Sequence, residues 1–222
     1  MTTSTHKWAV VLVGLSVILM TASSADARVK YRERHHRGID YTQRGFQLYA
    51  GFGGQGYEIQ NRNYDFLREH ESDGMFFLGA AVGLDRNLAL YLEGSGSEHD
   101  TPIGPVDFGY LHLGLKYAFQ TGYAHPWQPY GKLSAGAMYL HERYFDRYAA
   151  HYDEDDNGYV GPSLGLGFGV DRFISRRAAI FGEIGFLFGR FDQRIIDGHE
   201  YDLYDDVGVS SGRIQFGLRL RL

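Results

Sequence analysis

The charged residues best placed to do chemistry recur on one side of a two-residue alternation. Glu93, Lys116, Lys132, Glu183 and Arg219 each interrupt a stretch in which every second residue is apolar, so each points away from the apolar face. Counted from one end of their segments, the five reach about the same depth. That predicts a buried charge network, with Glu93 paired to Lys116 and Glu183 to Arg219. Opposite charges in a dry interior stabilise each other, and one left unpaired is costly. The expected role is a stabilising plug, with a gate over a thin ion path as the alternative.

Other chemistry-bearing residues form weaker constellations. Ser95, Ser97, His99, His141 and Ser163 are of the types that serve as nucleophile and base in acyl transfer. They form no His-x-Ser pair, and Ser97-Glu98-His99 reads as loop, so no catalytic residue is assigned and the chain is not expected to be an enzyme. In "DEDDNG", Asp153, Asp155 and Asn157 have the spacing of the first half of a calcium loop, but Leu164 stands where the bidentate glutamate belongs. No metal site is expected beyond that partial match. "GFGGQG" (Gly51 to Gly56) fits the dinucleotide-binding glycine pattern, yet no helix opens after it, and no cofactor is expected. His35 and His36 lie in the basic segment "RVKYRERHHRG" and lack further ligands.

The elements that must position these residues begin with a processing signal. Lys7 precedes the apolar run "WAVVLVGLSVILM", and Ala25 and Ala27 have the spacing a signal peptidase accepts. The run falls short of the roughly 20 apolar residues of a spanning helix. Residues 1–27 are therefore expected to be a signal peptide, 28–44 a basic periplasmic tail, and 45–222 one domain. The chain has no cysteine, so an exported fold cannot rest on disulfides. A formal net charge of −5 gives no reason to expect a nucleic-acid partner.

The 222 residues include 30 glycines, 17 tyrosines and 15 phenylalanines, yet mean hydropathy is only −0.32. No later apolar run approaches spanning length, which excludes a helical membrane protein. A closed barrel survives, because half of each spanning strand can be polar. Period-two alternation marks eight strands, approximately Phe46 to Ile59, Met75 to Leu84, Leu88 to Ser97, Phe108 to Phe119, Pro129 to His141, Tyr159 to Phe173, Ala178 to Phe191 and Ser211 to Leu222. One face of each is oily, as in Leu111, Leu113 and Leu115. The other carries Gln47, Tyr49, Tyr91, His112, Ser134 and many glycines, of which Gly79, Gly83, Gly165 and Gly167 are expected to leave space in the interior.

Short links such as "DRN" and "ISRR" alternate with long polar ones, among them "GSEHDTPIGPV" and "DQRIIDGHEYDLYDDVG". The last strand carries Gln215, then Gly217, then Leu220 and Leu222. With these features, residues 45–222 resemble the eight-stranded outer-membrane β-barrels of Gram-negative bacteria, the OmpA-like and OmpX-like transmembrane domains. In that family this spacing is a recognition signal for the barrel assembly machinery, usually closed by phenylalanine where Leu222 stands here. The resemblance implies an all-β, antiparallel up-and-down transmembrane barrel with short periplasmic turns and long extracellular loops.

It also implies residence in the cell outer membrane as a monomer, contact with membrane lipids and lipopolysaccharide, and the assembly machinery as partner. The long links are acidic: Asp65, Glu69, Glu71 and Asp73, then Asp153 to Asp156, then Glu200, Asp202, Asp205 and Asp206. A structural, adhesin-like or surface-binding role through these loops, around a mostly plugged lumen, is the leading expectation. A narrow porin-like ion channel and a lipid A-modifying enzyme are the alternatives.

Overall fold

The computed structural model describes residues 45–60, 73–101, 104–119, 127–142, 157–196 and 199–222. Eight strands follow in chain order: β1 (Gly45–Gln60), β2 (Asp73–Gly83), β3 (Leu88–Thr101), β4 (Gly104–Ala118), β5 (Trp127–Glu142), β6 (Asn157–Phe173), β7 (Ala178–Ile196) and β8 (His199–Arg221). Each pairs antiparallel with the next, and β1 pairs with β8 from Gln47↔Arg221 to Gln60↔Gly208, which closes the sheet into a barrel. The expected up-and-down architecture is the one observed. Among the described residues no helix is long and apolar enough to cross a membrane. The expected signal peptide and basic tail, with His35 and His36, lie outside the described residues. Gly51 to Gly56, the dinucleotide-like glycines, run inside β1.

Alternation sorts the side chains by wall. Phe52, Phe76, Leu133, Leu164, Phe186 and Phe216 are exposed on the outside, while Tyr49, Phe77, Tyr130 and Phe181 are buried inside. Outward apolar residues recur on all eight strands and form a continuous belt. Soluble monomers rarely expose contiguous apolar patches beyond a few hundred Å², so this surface is built for hydrocarbon.

The two rims differ. At one, Leu84 and Asp85 amides donate to Leu88 O, and the Ser175 hydroxyl accepts from the Arg177 and Ala178 amides, which makes two tight turns. Both chain ends of the barrel meet at this rim, where the Leu222 amide donates to Phe46 O. At the opposite rim the expected long loops need correction. Only residues 102–103 separate β3 from β4, and only 197–198 separate β7 from β8. The polar segments read as loops are strand: β8 runs 23 residues, about twice the nine to eleven that a tilted strand needs to cross hydrocarbon. The other two connections, 61–72 and 143–156, lie outside the described residues.

These strands escaped notice because the apolar pattern changes phase along them. In β8 the apolar residues near the turns are the outward Ile214, Phe216, Leu218 and Leu220, whereas further up they are the inward Val207 and Val209. Moving the apolar set by one residue moves it to the other wall. Two bulges sit in the upper half, between Val160 and Ser163 and between Phe191 and Gln193. The first contains Pro162, which has no amide to give to a ladder.

The seam between β1 and β8 needs glycine. Gly51 faces Gly217 across it, and a Cβ on Gly51 would collide with the backbone of Phe216 and Gly217 and with the Phe77 ring. Gly51→Val is expected to abolish the heat-modifiable gel mobility of a folded barrel. Gly212→Val, with nothing within 4 Å of its added carbon, should retain it.

Candidate functional site

The interior is filled in two layers. In the layer nearer the turns, Lys132 Nζ lies 2.7 Å from Glu93 Oε2 and 2.8 Å from Glu183 Oε2. Arg213 Nη2 approaches the same two carboxylates, at 3.3 Å from Glu93 and 3.6 Å from Glu183. Below them Asp171 receives both Lys116 and Arg219. All seven side chains are buried. Hydroxyls complete the shell: Tyr110 donates to Glu93 at 2.8 Å and Tyr130 to Glu183 at 3.0 Å. Rings cap the cations, with Lys116 Nζ 3.9 Å from the Tyr130 centroid and the Arg213 guanidinium 4.5 Å from that of Tyr110.

The five charged residues singled out in the sequence thus stand in the interior, but their partners differ from those expected. Glu93 meets Lys132 and Arg213 instead of Lys116, and Arg219 meets Asp171 instead of Glu183. Apart from Arg213 with Glu183 on β8 and β7, neighbouring strands do not supply the pairs. One group joins β3, β5, β7 and β8, and the other joins β4, β6 and β8. In a bore this narrow, long side chains reach across to strands two or more away, and strand tilt places alternate strands at a common height. Asp171 and Arg213 were legible as inward residues of β6 and β8 by alternation alone. Nothing local to either marked it as a partner.

Glycines in this layer do not leave space. A Cβ on Gly79 would strike the Tyr49 ring, on Gly165 the Ser134 hydroxyl and His112, and on Gly167 the Glu183 carboxylate. They make room for those side chains, which fill it. His112 is held from both sides, Nδ1 by Ser134 Oγ at 2.9 Å and Nε2 by Ser163 Oγ at 2.7 Å.

The upper layer is apolar. Tyr57, Ile59, Phe108, Leu140, Phe191 and Val209 belong to one buried cluster drawn from β1, β4, β5, β7 and β8. The sequence reading had a polar face lining the whole interior. Above the hydrocarbon, water surrounds the barrel, and its core is built like that of a soluble protein.

Against this cluster lies a serine–histidine contact that the sequence reading placed in a loop. Ser97 and His99 are inward residues of β3, with Ser97 Oγ 2.8 Å from His99 Nε2. His99 Nδ1 is 3.4 Å from Asp73 Oδ2 on β2. The order is that of an acyl-transfer triad, but the surroundings are not. His99 is 0% exposed and Ser97 7%. The Tyr57 ring packs edge-on to the imidazole at 4.9 Å. Ser97 also donates to Phe108 O at 3.2 Å. A hydroxyl has one proton to give, and while that proton goes to the carbonyl, the imidazole is donor to Oγ, the reverse of general-base activation.

The remaining sequence candidates fall as follows. His141 lies at the upper rim with Nδ1 3.7 Å from Asp107 Oδ2. Gln215 is buried and donates to the Tyr110 hydroxyl at 3.1 Å. Gly217 lines the seam, and Leu220 and Leu222 are exposed on the outer wall. Asn157 begins β6, while Asp153, Asp155 and the rest of that acidic stretch lie outside the described residues, as do Asp65, Glu69 and Glu71. Glu200 and Asp202 stand exposed on β8. Among the described residues no group of three or more His, Cys, Asp or Glu could hold a metal ion.

The pairing is testable by urea unfolding in detergent micelles. Asp171→Asn strands Lys116 and Arg219 and is expected to cost about 3–5 kcal/mol. In double-mutant cycles Asp171 and Arg219 should show the larger coupling, and Glu183 and Arg219 the smaller; the opposite order would refute the assignment.

No family model matches the chain, and no curated protein does. Solved structures do match. Neisserial surface protein A (NspA) superposes with a TM-score of 0.58 at 12% identity, over 80% of this chain and 97% of that one. The outer membrane protein OprG of Pseudomonas aeruginosa gives 0.46 at 15% identity, over 84% and 97%. The attachment invasion locus protein Ail of Yersinia pestis gives 0.44 at 14%, over 80% and 99%. With its closed bore, its paired seam and its apolar outer belt, the chain has the fold of the eight-stranded outer-membrane β-barrels.

Proposed function

We propose that the protein is an integral barrel of the cell outer membrane, monomeric, with a sealed lumen, and that it binds partners through the rim opposite its tight turns. The filled interior carries this reading. An ion-paired layer and an aromatic layer lie one above the other, so transport through the bore is disfavoured. Binding is left to the end that projects from the membrane, since loops and extensions on a rigid scaffold are where recognition resides.

Charge supports the choice of rim. The projecting end carries Glu58, Glu98, Asp107, Asp192, Glu200 and Asp202 against Arg190 and Arg194, while the turn end carries Arg86, Arg172, Arg176 and Arg177 against Asp85. An acidic outer surface suits a cationic ligand, or divalent cations that bridge to lipopolysaccharide phosphates. Contact with membrane lipids follows from the belt, and the Gln215 to Leu222 spacing supports delivery by the barrel assembly machinery. No catalytic role or cofactor is proposed: Ser97 and His99 lie under Tyr57 and Phe108, without the access that a substrate needs.

The narrow-channel reading has one observation in its favour. Arg213 Nε and Nη1, Glu183 Oε1 and Gln215 Oε1 are buried without a hydrogen bond to protein, and such groups are commonly met by water. The apolar layer above them is a dielectric barrier to any ion that would use that water.

Planar-bilayer recording of the folded protein is expected to give no stable conductance steps, and large steady steps would contradict the sealed lumen. A fluorophosphonate probe should leave the folded barrel unlabelled. Labelling that disappears in Ser97→Ala would establish a serine nucleophile and overturn the non-catalytic reading.

A further inference from the structure

The outward row of β6 runs Leu164, Leu166, Phe168 and Val170, all exposed, and then reaches Arg172. The apolar wall ends there in a guanidinium. On β7 the row that starts at Ile180, the register partner of Arg172, reaches Arg190 about ten residues later. At about 3.3 Å per residue and a tilt of about 40°, that stretch climbs roughly 25 Å, the height of the apolar band of such barrels. Arg172 therefore stands at the level of lipid phosphates on the turn side.

Its surroundings suit an anion. Trp127 is the register partner of Arg172 on β5, outward and 53% exposed, and the guanidinium lies 4.9 Å from the indole centroid. An indole at this depth is an interfacial anchor, and its π face holds the cation without occupying an N–H donor. Asp171, the carboxylate next to Arg172 in the chain, is 0% exposed and taken by Lys116 and Arg219. Among the described residues no acidic side chain pairs with Arg172. Its planar fork of donors matches two oxygens of one phosphate.

The turn after β6 adds charge of the same sign. The Ile174 and Ser175 amides donate to Ala178 O, and this tight turn sets the exposed Arg176 and Arg177 beside the end of β6. Three arginines within residues 172–177 favour a headgroup of net negative charge over one that also carries an ammonium.

We propose that Arg172, stacked on Trp127, is a specific site for the phosphodiester of an anionic glycerophospholipid in the leaflet at the turn rim, with the acyl chains along the outward rows of β5 and β6. The proposal rests on the membrane reading above.

It can be tested by native mass spectrometry of the folded protein released from micelles doped with equal amounts of phosphatidylglycerol, phosphatidylethanolamine and lipid A. One retained phosphatidylglycerol is expected. Arg172→Gln should lower that retention by about fivefold or more, and Trp127→Leu, which keeps an apolar anchor but loses the ring, by about two- to fivefold. Both side chains are exposed on the outer wall, so the barrel should stand. Arg86→Gln makes the same charge change on the β2–β3 turn, half-way round the barrel, and should leave retention as it was. Arg176→Gln combined with Arg177→Gln should shift the retained lipid toward phosphatidylethanolamine. Excess inorganic phosphate should not displace the lipid.

Undiminished retention in Arg172→Gln would overturn the site, and equal losses from Arg86→Gln and Arg172→Gln would reduce it to diffuse surface charge. Preferential retention of phosphatidylethanolamine or lipid A would overturn the headgroup assignment, as would displacement by inorganic phosphate. Heat-modifiable mobility in the same micelles separates the two readings. A wild-type protein that does not fold into them refutes the membrane reading, whereas one that folds but retains no phosphatidylglycerol refutes only the site.

Discussion

Hydrocarbon offers no partner to a backbone amide or carbonyl, and each one left unsatisfied there costs several kcal/mol. The pairing of β1 with β8 removes the two sheet edges that would otherwise face lipid. The rest of the architecture is a consequence of that closure. A barrel of eight strands has a bore about as wide as its own side chains. Its inward residues therefore touch across the axis, and they must satisfy one another without help from bulk water. Glycines at the seam and along the wall set how closely the strands can approach, as Gly51 and Gly217 do.

Two solutions to filling the bore coexist in one molecule. Nearer the turns the outer wall is apolar, and the interior takes charges that are cross-linked in groups: Glu93 and Glu183 share Lys132 and Arg213, and Asp171 joins Lys116 to Arg219. Replacing such a network with well-packed apolar residues is often no less stable, whereas removing one member is costly. The ion pairs thus tie together strands that the sheet's own ladder does not join, such as β4 with β6 and β3 with β5. Beyond the belt the environment is water and the pattern inverts. Val207 and Val209 turn inward, and Phe108, Leu140 and Phe191 pack with them.

The inversion explains how Ser97, His99 and Asp73 come together beside an aromatic layer. They stand on the inner wall against the apolar layer, where Ser97 Oγ meets His99 Nε2 and Asp73 Oδ2 lies 3.4 Å from Nδ1. The serine–histidine hydrogen bond seats a buried imidazole among aromatic rings. Access to the imidazole and the direction of the serine proton depend on the Tyr57 ring and the Phe108 carbonyl.

The sequence by itself determined the strand class, the number of strands, their order and the inward or outward sense of nearly every residue, because all of these follow from a period of two read locally. It placed Glu93, Lys116, Lys132, Glu183 and Arg219 inside for the same reason. It misjudged the upper ends of β3, β4, β7 and β8: in β4 and β8 the apolar set shifts to the inward residues, and in β3 residues 97–101 carry no apolar side chain, so a change of solvent outside the barrel resembles the end of a strand. Only the tertiary structure decided which charges pair, that Asp171 and Arg213 belong with them, and that the glycines are filled by neighbours. Those contacts join strands separated by dozens of residues across a closed bore, and no local pattern encodes the distance from one wall to the other.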